Sequence, residues 1–541
     1  MKLIDCTLRD GGYYTNWQFS ENLVSKYLSA MEEIKVDYVE IGFRFFSNEG
    51  FKGAYAHTSD CFLNELSIPD GLKNKIGVMV NASDFLSDSN DRKQVLTKLN
   101  QLFKEKIESK VSLVRVATHY QDFPNCKLIV NHLISLGYKV GLNIMQANAN
   151  GISLIGNEIK SFDNSSLEFL YLADSYGSLK PSDISDLITE TRKYWSGNLG
   201  IHAHDSMGNA VNNSLIAFEL GVNWIDSTVT GMGRGPGNAQ TEYLVIESER
   251  LRKVNLYSSS LPSLIDNFFI GLKKKYDWGM NNYYYLAAKY NVHPSYIQNM
   301  ISDPRYSSED ILQTIKYFYE HGKGQVFSET EIETAGIQIN QTNNGSWNPK
   351  DYMNGKEVLI IGPGSSVIEH KFAIESYILR LNPFVIALNT SETINEDLID
   401  IRSACHPLRI IAEISNYSNF QQPFVIPKSL IDEASIKKIN NLQIFDYGMN
   451  INNEGKFTYN STNCSIPKPI VLAYSLAIAS SAQAIKVTLA GFDGYGSDNK
   501  KRKEIDNLLE QYCNSDGSLE IISITDTSYE IPVKSVYGFL T

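Results

Sequence analysis

The chain has 541 residues, 43% of them hydrophobic and 20% charged, and this length predicts two or three globular domains. Its net charge of −12 argues against a nucleic-acid-binding protein, because such proteins usually present a basic surface. Six cysteines without CxxC spacing indicate reduced thiols. No apolar run is long enough to span a membrane, and Met1–Asp5 leads into a predicted strand instead of a signal peptide. We therefore expect a cytoplasmic protein without membrane or nucleic-acid partners.

Eight short apolar runs alternate with helical patterns along residues 1–245. Continuous apolar runs separated by helices are typical of parallel strands that are buried on both faces. Eight of them predict a (β/α)8 barrel, the TIM-barrel fold, and an open doubly wound sheet is the alternative. The predicted strands are Leu3–Cys6, Tyr38–Gly42, Ile76–Val80, Leu113–Ala117, Val140–Met145, Phe169–Ala173, Gly200–Ala203 and Trp224–Val229.

Polar side chains close nearly every one of these strands. Because barrel enzymes place their chemistry at the carboxyl ends of the strands, the pattern predicts an active site there. Any single one of these residues could equally be a loop cap. They are Arg9, Asp10, Arg44, Asn81, His119, Gln146, Asp174, Ser175, His202, His204, Thr228 and Thr230.

The most specific pattern is His202-Ala203-His204. Residues i and i+2 of a strand face the same side, so both imidazoles are expected to point into one space. Asp10 follows the first strand and adds a carboxylate. Two neutral nitrogen ligands and one carboxylate predict a divalent metal site with open coordination positions. The alternative is a strand with two buried, hydrogen-bonded histidines.

A glycine-rich loop, Gly231–Ala239, follows the eighth strand. Its four glycines in seven residues let the backbone approach a ligand closely, and amides in such a loop can hold an anion. Asn238 in this loop could add an oxygen to the metal or hold a substrate group.

Three motifs together, Leu8-Arg9-Asp10-Gly11, His202-Ala203-His204 and the glycine-rich loop, resemble the metal-dependent barrel lyases and synthases. That family includes hydroxymethylglutaryl-CoA lyase, isopropylmalate and homocitrate synthases, and 4-hydroxy-2-oxovalerate aldolase. Over about residues 1–300 the chain most resembles the aldolase, through Val114–His119, Leu172–Ser175 and Gly231–Ala239. The resemblance implies a manganese or magnesium ion bound by Asp10, His202 and His204. It also implies that Arg9 steadies the enolate of pyruvate.

The chain departs from this family just after the first motif. The family carries a histidine there, thought to be the catalytic base, whereas this chain has Gly12-Tyr13-Tyr14. Tyr13 is a poor base unless its pKa is lowered, so His119 and a water on the metal are the other candidates. The segment after the second strand is also unlike the family, and Arg44 or His57 in this segment could bind a larger or charged aldehyde.

Residues 246–335 are predicted to form a helical extension, in which Tyr284 lines the pocket for the acceptor aldehyde. The residues predicted to be catalytic are Arg9, Tyr13, His119 and Tyr284. Those predicted to bind substrate are Arg44, Gln146, Asp174, Ser175, Thr230 and Asn238.

The second half of the chain is predicted to be a linker, residues 336–356, followed by a smaller Rossmann-like α/β domain, residues 357–541. The dinucleotide fingerprint is incomplete, since the turn Gly362–Ser366 lacks the third glycine and no acidic residue follows the second strand. This turn and the loop Gly491–Gly496 could hold a sugar or nucleotide, and an oligomerising role is the alternative. The predicted strands begin at Glu357 and cover Phe384–Leu388, Arg409–Ala412, Val487–Ala490 and Glu520–Ile524.

Three functions are compatible with the sequence. The first is a metal-dependent aldolase that makes or cleaves a 4-hydroxy-2-oxo acid, the second a Claisen-type synthase or acyl-CoA lyase of the same family, and the third a non-catalytic scaffold. Thr118-His119 and Gly233-Arg234-Gly235 favour the aldolase, and the intact metal ligands argue against the scaffold. We expect pyruvate and an aldehyde, which could be sugar-derived, as substrates, and a homo-oligomeric assembly.

Overall fold

The computed structural model divides the chain into two compact units, residues 1–305 with 318–326 and residues 306–317 with 327–541. Each unit has its own hydrophobic core. The residues that the structure describes are 1–46, 51–86, 92–162, 166–254, 260–302, 306, 308–320, 322–325, 327, 343–414, 416–431, 436–437, 439, 441–452, 454–494 and 500–540.

The first unit is a closed barrel of eight parallel strands, in which each strand pairs with the next and the eighth pairs with the first. The predicted TIM barrel is therefore confirmed, with every predicted strand present and bounds shifted by at most two residues. The strands are β1 (Lys2–Asp5), β2 (Tyr38–Phe43), β3 (Ile76–Asn81), β4 (Val111–Thr118), β5 (Lys139–Ile144), β6 (Phe169–Asp174), β7 (Leu199–Ala203) and β8 (Trp224–Ser227).

Amphipathic helices cover the outside of this barrel. In the helix Glu21–Glu33, for example, Ser20 caps the first turn by accepting a hydrogen bond from the Leu23 amide, and the apolar face that includes Tyr27 is buried. The other helices of the unit are Thr7–Thr15, Ala54–His57, Asp60–Glu65, Ser83–Leu86, Arg92–Leu102, Cys126–Ser135, Ala149–Leu154, Gly156–Lys160, Pro181–Arg192, Ala210–Glu219, Thr241–Glu247, Glu249–Arg252, Leu261–Leu264, Ile270–Tyr276, Asn282–Lys289 and Pro294–Ile301.

Alternate strands fill the barrel interior in layers, as expected for this fold. At the amino-terminal end β2, β4, β6 and β8 contribute an apolar layer of Tyr38, Leu113, Phe169 and Trp224. Two residues further along the same strands, on the same face, stand Glu40, Arg115, Tyr171 and Asp226. A charged layer therefore lies directly above the apolar one, on the side of the carboxyl ends of the strands.

Two strand glycines make room for the rings of β6. A Cβ atom at Gly141 would lie 2.0 Å from a ring carbon of Phe169, and one at Gly200 would lie 2.1 Å from a ring carbon of Tyr171. Neither strand position therefore accepts a side chain unless the neighbouring ring moves.

The second unit contains an open sheet of seven parallel strands. These are β9 (Glu357–Ile361), β10 (Phe384–Leu388), β11 (Ile401–Ser403), β12 (Phe424–Ile426), β13 (Ile444–Asp446), β17 (Lys486–Ala490) and β18 (Ile521–Ser523). Their order is β13-β12-β11-β10-β9-β17-β18, so the direction of winding reverses at the boundary between β9 and β17. A small sheet is formed by β14 (Gly448–Ile451), β15 (Thr458–Tyr459) and β16 (Asn463–Ile466).

The helices that the structure describes in and around this unit are Ser308–Glu320, which both units share, and Lys350–Met353, Ser365–Glu369, Lys371–Leu381, Pro407–Glu413, Val471–Ser481 and Lys500–Cys513. None of the helices in the described part of the chain is both long and apolar enough to cross a membrane.

Two predictions for this half need correction. Arg409–Ala412, predicted to be a strand, lies in the helix Pro407–Glu413, because a proline at the first helical position favours a helix start. The described part of the predicted linker is packed: Met353 is fully buried, and Trp347 stacks on Phe445 with ring centroids 4.8 Å apart. Residues 336–342 lie outside the described residues.

We expect Gly141→Val to destabilise the barrel by about 3 kcal/mol, because the new side chain would overlap the ring of Phe169. Denaturant unfolding followed by tryptophan fluorescence would measure the change. The matched control is Gly271→Ala, where an added Cβ meets nothing within 4 Å and a helical alanine is favoured. Equal stability of wild type and Gly141→Val would contradict the close packing of this layer.

Candidate metal centre and active site

The three predicted metal ligands meet at the carboxyl-terminal end of the barrel. Asp10 lies in the helix Thr7–Thr15 that follows β1, His202 lies in β7, and His204 follows that strand directly. The Nε2 atom of His202 is 3.3 Å from Nε2 of His204 and 3.8 Å from Oδ2 of Asp10. Neighbouring ligands of an octahedral ion with bonds of about 2.1 Å are about 3 Å apart, so these spacings fit one shared ion.

The protonation of the histidines also fits a metal. Nδ1 of His202 is 2.8 Å from Oδ2 of Asp226, so Nδ1 donates its proton and Nε2 presents a lone pair. Burial, together with the neighbouring His202, holds the pKa of His204 well below its usual value, so that imidazole is neutral. Neutral imidazole is the form that binds a metal.

Asn238 completes the set of oxygen and nitrogen donors. Its side-chain amide donates to Oδ2 of Asp10, and its backbone forms a bridge with His204. Its Oδ1 atom is buried and has no hydrogen-bond partner among the described residues. An orphaned buried acceptor beside three metal ligands is satisfied by a cation. The donor set therefore fits one divalent metal ion.

Asp10 is ionised in this environment. Burial alone would raise its pKa, but the charge of Arg9, the two histidines and the hydrogen bond from Asn238 together lower it below its usual range. A carboxylate that stays charged while buried is available as a ligand at any neutral pH.

A network of buried ion pairs lies beneath the metal ligands. Arg9 donates through Nε to Glu40 at 2.8 Å and through Nη1 to Asp10 at 2.8 Å. Arg115 bridges Glu40, at 3.3 Å, and Asp226, at 2.8 Å. Glu40 thus links Arg9 to Arg115, and Asp226 links Arg115 to His202. Arg9 in turn contacts Asp10, so the network reaches two of the three candidate metal ligands.

Sequence analysis did not single out Glu40 and Asp226. The signal was present, since each is a charge inside an apolar strand, two residues after an aromatic residue of the interior layer. With Arg9, Arg115 and Asp10 they leave a net charge of −1, because three carboxylates face two guanidinium groups. A divalent ion held there would reverse this charge and would favour an anionic ligand.

Several predicted substrate-binding residues are used within the protein instead. Arg44 is 1% exposed, and its guanidinium donates to the carbonyls of Thr58 and Leu102 and to Asp60, so the structure does not bring it to the metal. Thr230 donates to the carbonyl of its own neighbour.

The ends of β5 and β6 are likewise occupied by local contacts. Asp174 accepts hydrogen bonds from the amides of the following loop, at Ser178 and Leu179, and burial raises its pKa to about 6. The hydroxyl of Ser175 accepts from the Gln146 amide. The side chain of Gln146 donates to the carbonyl of Gln325, which also accepts from the Tyr176 hydroxyl, so residues 322–325 are tied to this end of the barrel.

Tyr13 and Tyr284 lie against the glycine-rich loop, and the charge of Arg234 in this loop acts on His119. The Tyr13 ring is 5.3 Å from the guanidinium carbon of Arg234, and a Cβ at Gly235 would lie 3.3 Å from the ring of Tyr284. Burial raises the pKa of Tyr13 and lowers the pKa of His119. His119 is therefore the better proton acceptor of the two at neutral pH.

His293 is a further histidine that sequence analysis did not name. It is 6% exposed and caps the helix Pro294–Ile301 by accepting, at Nδ1, a hydrogen bond from the Ser295 amide at 3.3 Å. Burial, followed by the charge of Arg234, holds its pKa well below the usual value. The sequence signal was weak, because a histidine before a proline is as compatible with a simple helix cap as with a group in an active site.

Comparison with known proteins agrees with this geometry. The family model described as HMGL-like matches residues 74–264, which span β3 to β8 and the helices that follow. This part of the barrel is therefore similar to proteins of the HMGL-like family.

The barrel is also similar to 4-hydroxy-2-oxovalerate aldolases. It is 26% identical to the one from Chloroflexus aggregans over 255 residues, 46% of this chain and 69% of that protein. It is 27% identical to the one from Carboxydothermus hydrogenoformans over 252 residues, 45% of this chain and 69% of that protein. A crystal structure of the N-terminal domain of a candidate aldolase from Bacteroides vulgatus is 29% identical, with a TM-score of 0.49, and covers 58% of this chain and 100% of that one.

We expect His204→Ala to weaken metal binding by at least about 100-fold, because it removes one of three protein ligands. Metal content after dialysis, together with calorimetric titration of Mn²⁺, would measure the loss. His132→Ala is the matched control, since His132 pairs with Asn100 on a helix far from the ligand set in sequence. Full metal content in His204→Ala would overturn the assignment.

Proposed function

We propose that this protein is a divalent-metal-dependent aldolase that makes or cleaves a 4-hydroxy-2-oxo acid through a pyruvate enolate. The observation that carries the proposal is the combination of three metal ligands with Arg9, whose guanidinium is fixed beside Asp10 by two ion pairs. Similarity to the HMGL-like family over residues 74–264 and to named aldolases over about 255 residues supports a carbon–carbon lyase.

The reaction needs a Lewis acid, an oxyanion donor and a base. In the cleavage direction the 4-hydroxyl loses its proton, the C3–C4 bond breaks, and the electron pair passes to C3 and the 2-oxo oxygen. The products are an aldehyde and the enolate of pyruvate, which becomes pyruvate when C3 is protonated. A manganese or magnesium ion bound by Asp10, His202 and His204 would polarise the 2-oxo group.

Arg9 is placed to stabilise the enolate oxygen. Its Nε and Nη1 atoms are held by Glu40 and Asp10, and Nη2 has no hydrogen-bond partner among the described residues. A donor that is already held in position does not have to reorganise when negative charge develops, which is the condition for effective transition-state stabilisation.

Among the side chains of this site, His119 is the base that we favour. Burial lowers the pKa of His119 from the usual histidine value, which favours the neutral imidazole that can accept a proton. Tyr13 stands where the family has its histidine, but burial raises its pKa, which makes the phenolate scarce. Tyr13 would then orient the substrate by hydrogen bonding. The homo-oligomeric state and the cytoplasmic location stay predictions.

The proposed function predicts metal-dependent exchange of the pyruvate C3 protons with solvent deuterium, followed by NMR. We expect Arg9→Lys to lower the exchange rate by about 10² to 10³, because lysine cannot reproduce the forked contacts that fix the donor. Mn²⁺ affinity should fall far less. Wild-type exchange in Arg9→Lys would make Arg9 a structural ion-pair partner, and binding of acetyl-CoA in place of pyruvate would favour the acyl-CoA alternative.

The pH profile of cleavage tests the base. Because the pKa of His119 is lowered, we expect kcat to fall on acidification with a midpoint below that of an ordinary histidine, as His119 gains a proton. His119→Gln should lower kcat by about 10² to 10⁴ and remove this acid limb. Asp174 has a pKa of about 6 and could titrate in the same range, so the comparison with the variant is decisive. An unchanged acid limb in His119→Gln would assign the proton transfer to another group.

A further inference from the structure

Arg234 occupies a fixed position in the glycine-rich loop. The Gly235 amide donates to the side-chain carbonyl of Gln298 at 3.0 Å, and the Tyr14 hydroxyl donates to the Gly235 carbonyl at 2.8 Å. Gly235 itself has a φ of +62°, a conformation that favours glycine. Two hydrogen bonds therefore fix the backbone next to Arg234, and this fixes the position from which the Arg234 side chain extends.

The guanidinium of Arg234 faces the reacting groups. Its central carbon lies 5.3 Å from the centroid of the Tyr13 ring. Its positive charge contributes to the lowered pKa values of His119, His204 and His293, although burial is the larger cause for each. Arg234 therefore contacts Tyr13, and its charge acts on the proposed metal ligand His204, on the favoured base His119 and on His293.

Arg234 differs from the other arginines near the barrel mouth in lacking a carboxylate partner. Arg9, Arg44 and Arg115 each form at least one ion pair of 2.6 to 2.8 Å. For Arg234, no carboxylate of the described residues lies within ion-pair distance, and its Nε atom is buried without a hydrogen-bond partner.

The contact with Tyr13 does not replace such a partner. A cation–π contact stabilises by about 1 kcal/mol. Arg234 is partly buried, and its buried Nε atom has no acceptor among the described residues, so part of the desolvation cost of the guanidinium is not offset. A guanidinium left in this state beside a reaction site is best explained by an anion that arrives with the substrate.

Pyruvate is not the reactant that needs this arginine. In the proposed reaction its carboxylate and 2-oxo group would be held by the metal ion and Arg9. Arg9 lies over the ring of Phe43 and Arg234 over the neighbouring ring of Tyr13, whose centroid is 6.1 Å from that of Phe43, so Arg234 is the second cation along this wall. We propose that Arg234 binds an anionic group, a carboxylate or a phosphate, on the acceptor aldehyde. This inference rests on the proposed function and names the substrate class of that same site.

The test uses the full chain and begins with pyruvate proton exchange in the absence of aldehyde. The rate of aldol addition is then compared within two pairs of aldehydes, succinic semialdehyde with butanal and glyceraldehyde 3-phosphate with glyceraldehyde. We expect kcat/KM of the wild type to favour the anionic member of at least one pair by about 10- to 100-fold, the usual range for one charged hydrogen bond. The pair that shows the preference identifies the anion.

Arg234→Met is expected to reduce this preference to about threefold or less, and Arg234→Lys to retain part of it, because lysine keeps the charge without the fork. The matched control is Arg250→Met, which removes the same charge from an exposed position of the same unit. Its preference for the anionic aldehyde should equal that of the wild type. Should Arg234→Met fail to fold, as judged by circular dichroism, the Lys variant carries the test.

Three results would overturn the inference while leaving the proposed function intact, and a fourth would overturn both. If the wild type exchanges pyruvate protons but does not prefer the anionic aldehyde in either pair, this inference is wrong and the proposed function still stands. A preference that survives in both Arg234→Met and Arg234→Lys without loss also overturns it. A rise in the KM for pyruvate, equal for anionic and neutral aldehydes, would assign Arg234 to the pyruvate carboxylate instead. Absence of proton exchange in the wild type overturns the proposed function first, and this inference with it.

Discussion

The stability of the barrel interior depends on a buried layer of charged side chains, each of which has an oppositely charged partner. Glu40 accepts from both Arg9 and Arg115, and Arg115 also donates to Asp226, which orients His202. Removing one partner from such a network leaves an uncompensated charge in the interior, which is strongly destabilising. The same contacts that keep the interior stable therefore set the positions of His202, the proposed metal ligand, and of Arg9, the proposed oxyanion donor.

Much of the fold and part of the site could be predicted from the sequence, for a local reason. The pattern of a strand and the position of its end are encoded within a few residues. The sequence alone therefore predicted all eight barrel strands and the proximity of Asp10, His202 and His204. Glu40 and Asp226 carry a local signal, a charge inside an apolar strand, but the partners that give them their role lie on strands far apart in sequence. Arg44 follows a strand as an active-site residue would, yet its partner Asp60 turns it away from the metal.

The second unit was harder to predict because its strands are short. Three-residue strands such as Ile401–Ser403 carry no periodicity, and Pro407 starts a helix where an apolar run predicted a strand. At the reversal point of the sheet, Asp493 accepts hydrogen bonds from the Ser366 amide and from the hydroxyls of Ser365 and Ser366. This turn, predicted to hold a sugar or nucleotide, thus already pairs one amide with a carboxylate of the chain. Residues 495 and 496 of the loop Gly491–Gly496 lie outside the described residues.

The helix Ser308–Glu320 has a consequence for how the protein can be divided. Its first ten residues belong to the second unit and Phe318 onward belongs to the first, where the ring of Phe318 packs on Tyr296 with centroids 4.7 Å apart. The backbone therefore passes between the units three times, at residues 305/306, 317/318 and 326/327. A gene cut at any one of these points leaves at least one stretch of residues attached to the unit to which it does not belong. The barrel and the open sheet are distinct in architecture, but the chain does not offer a single junction at which one could be exchanged for another module.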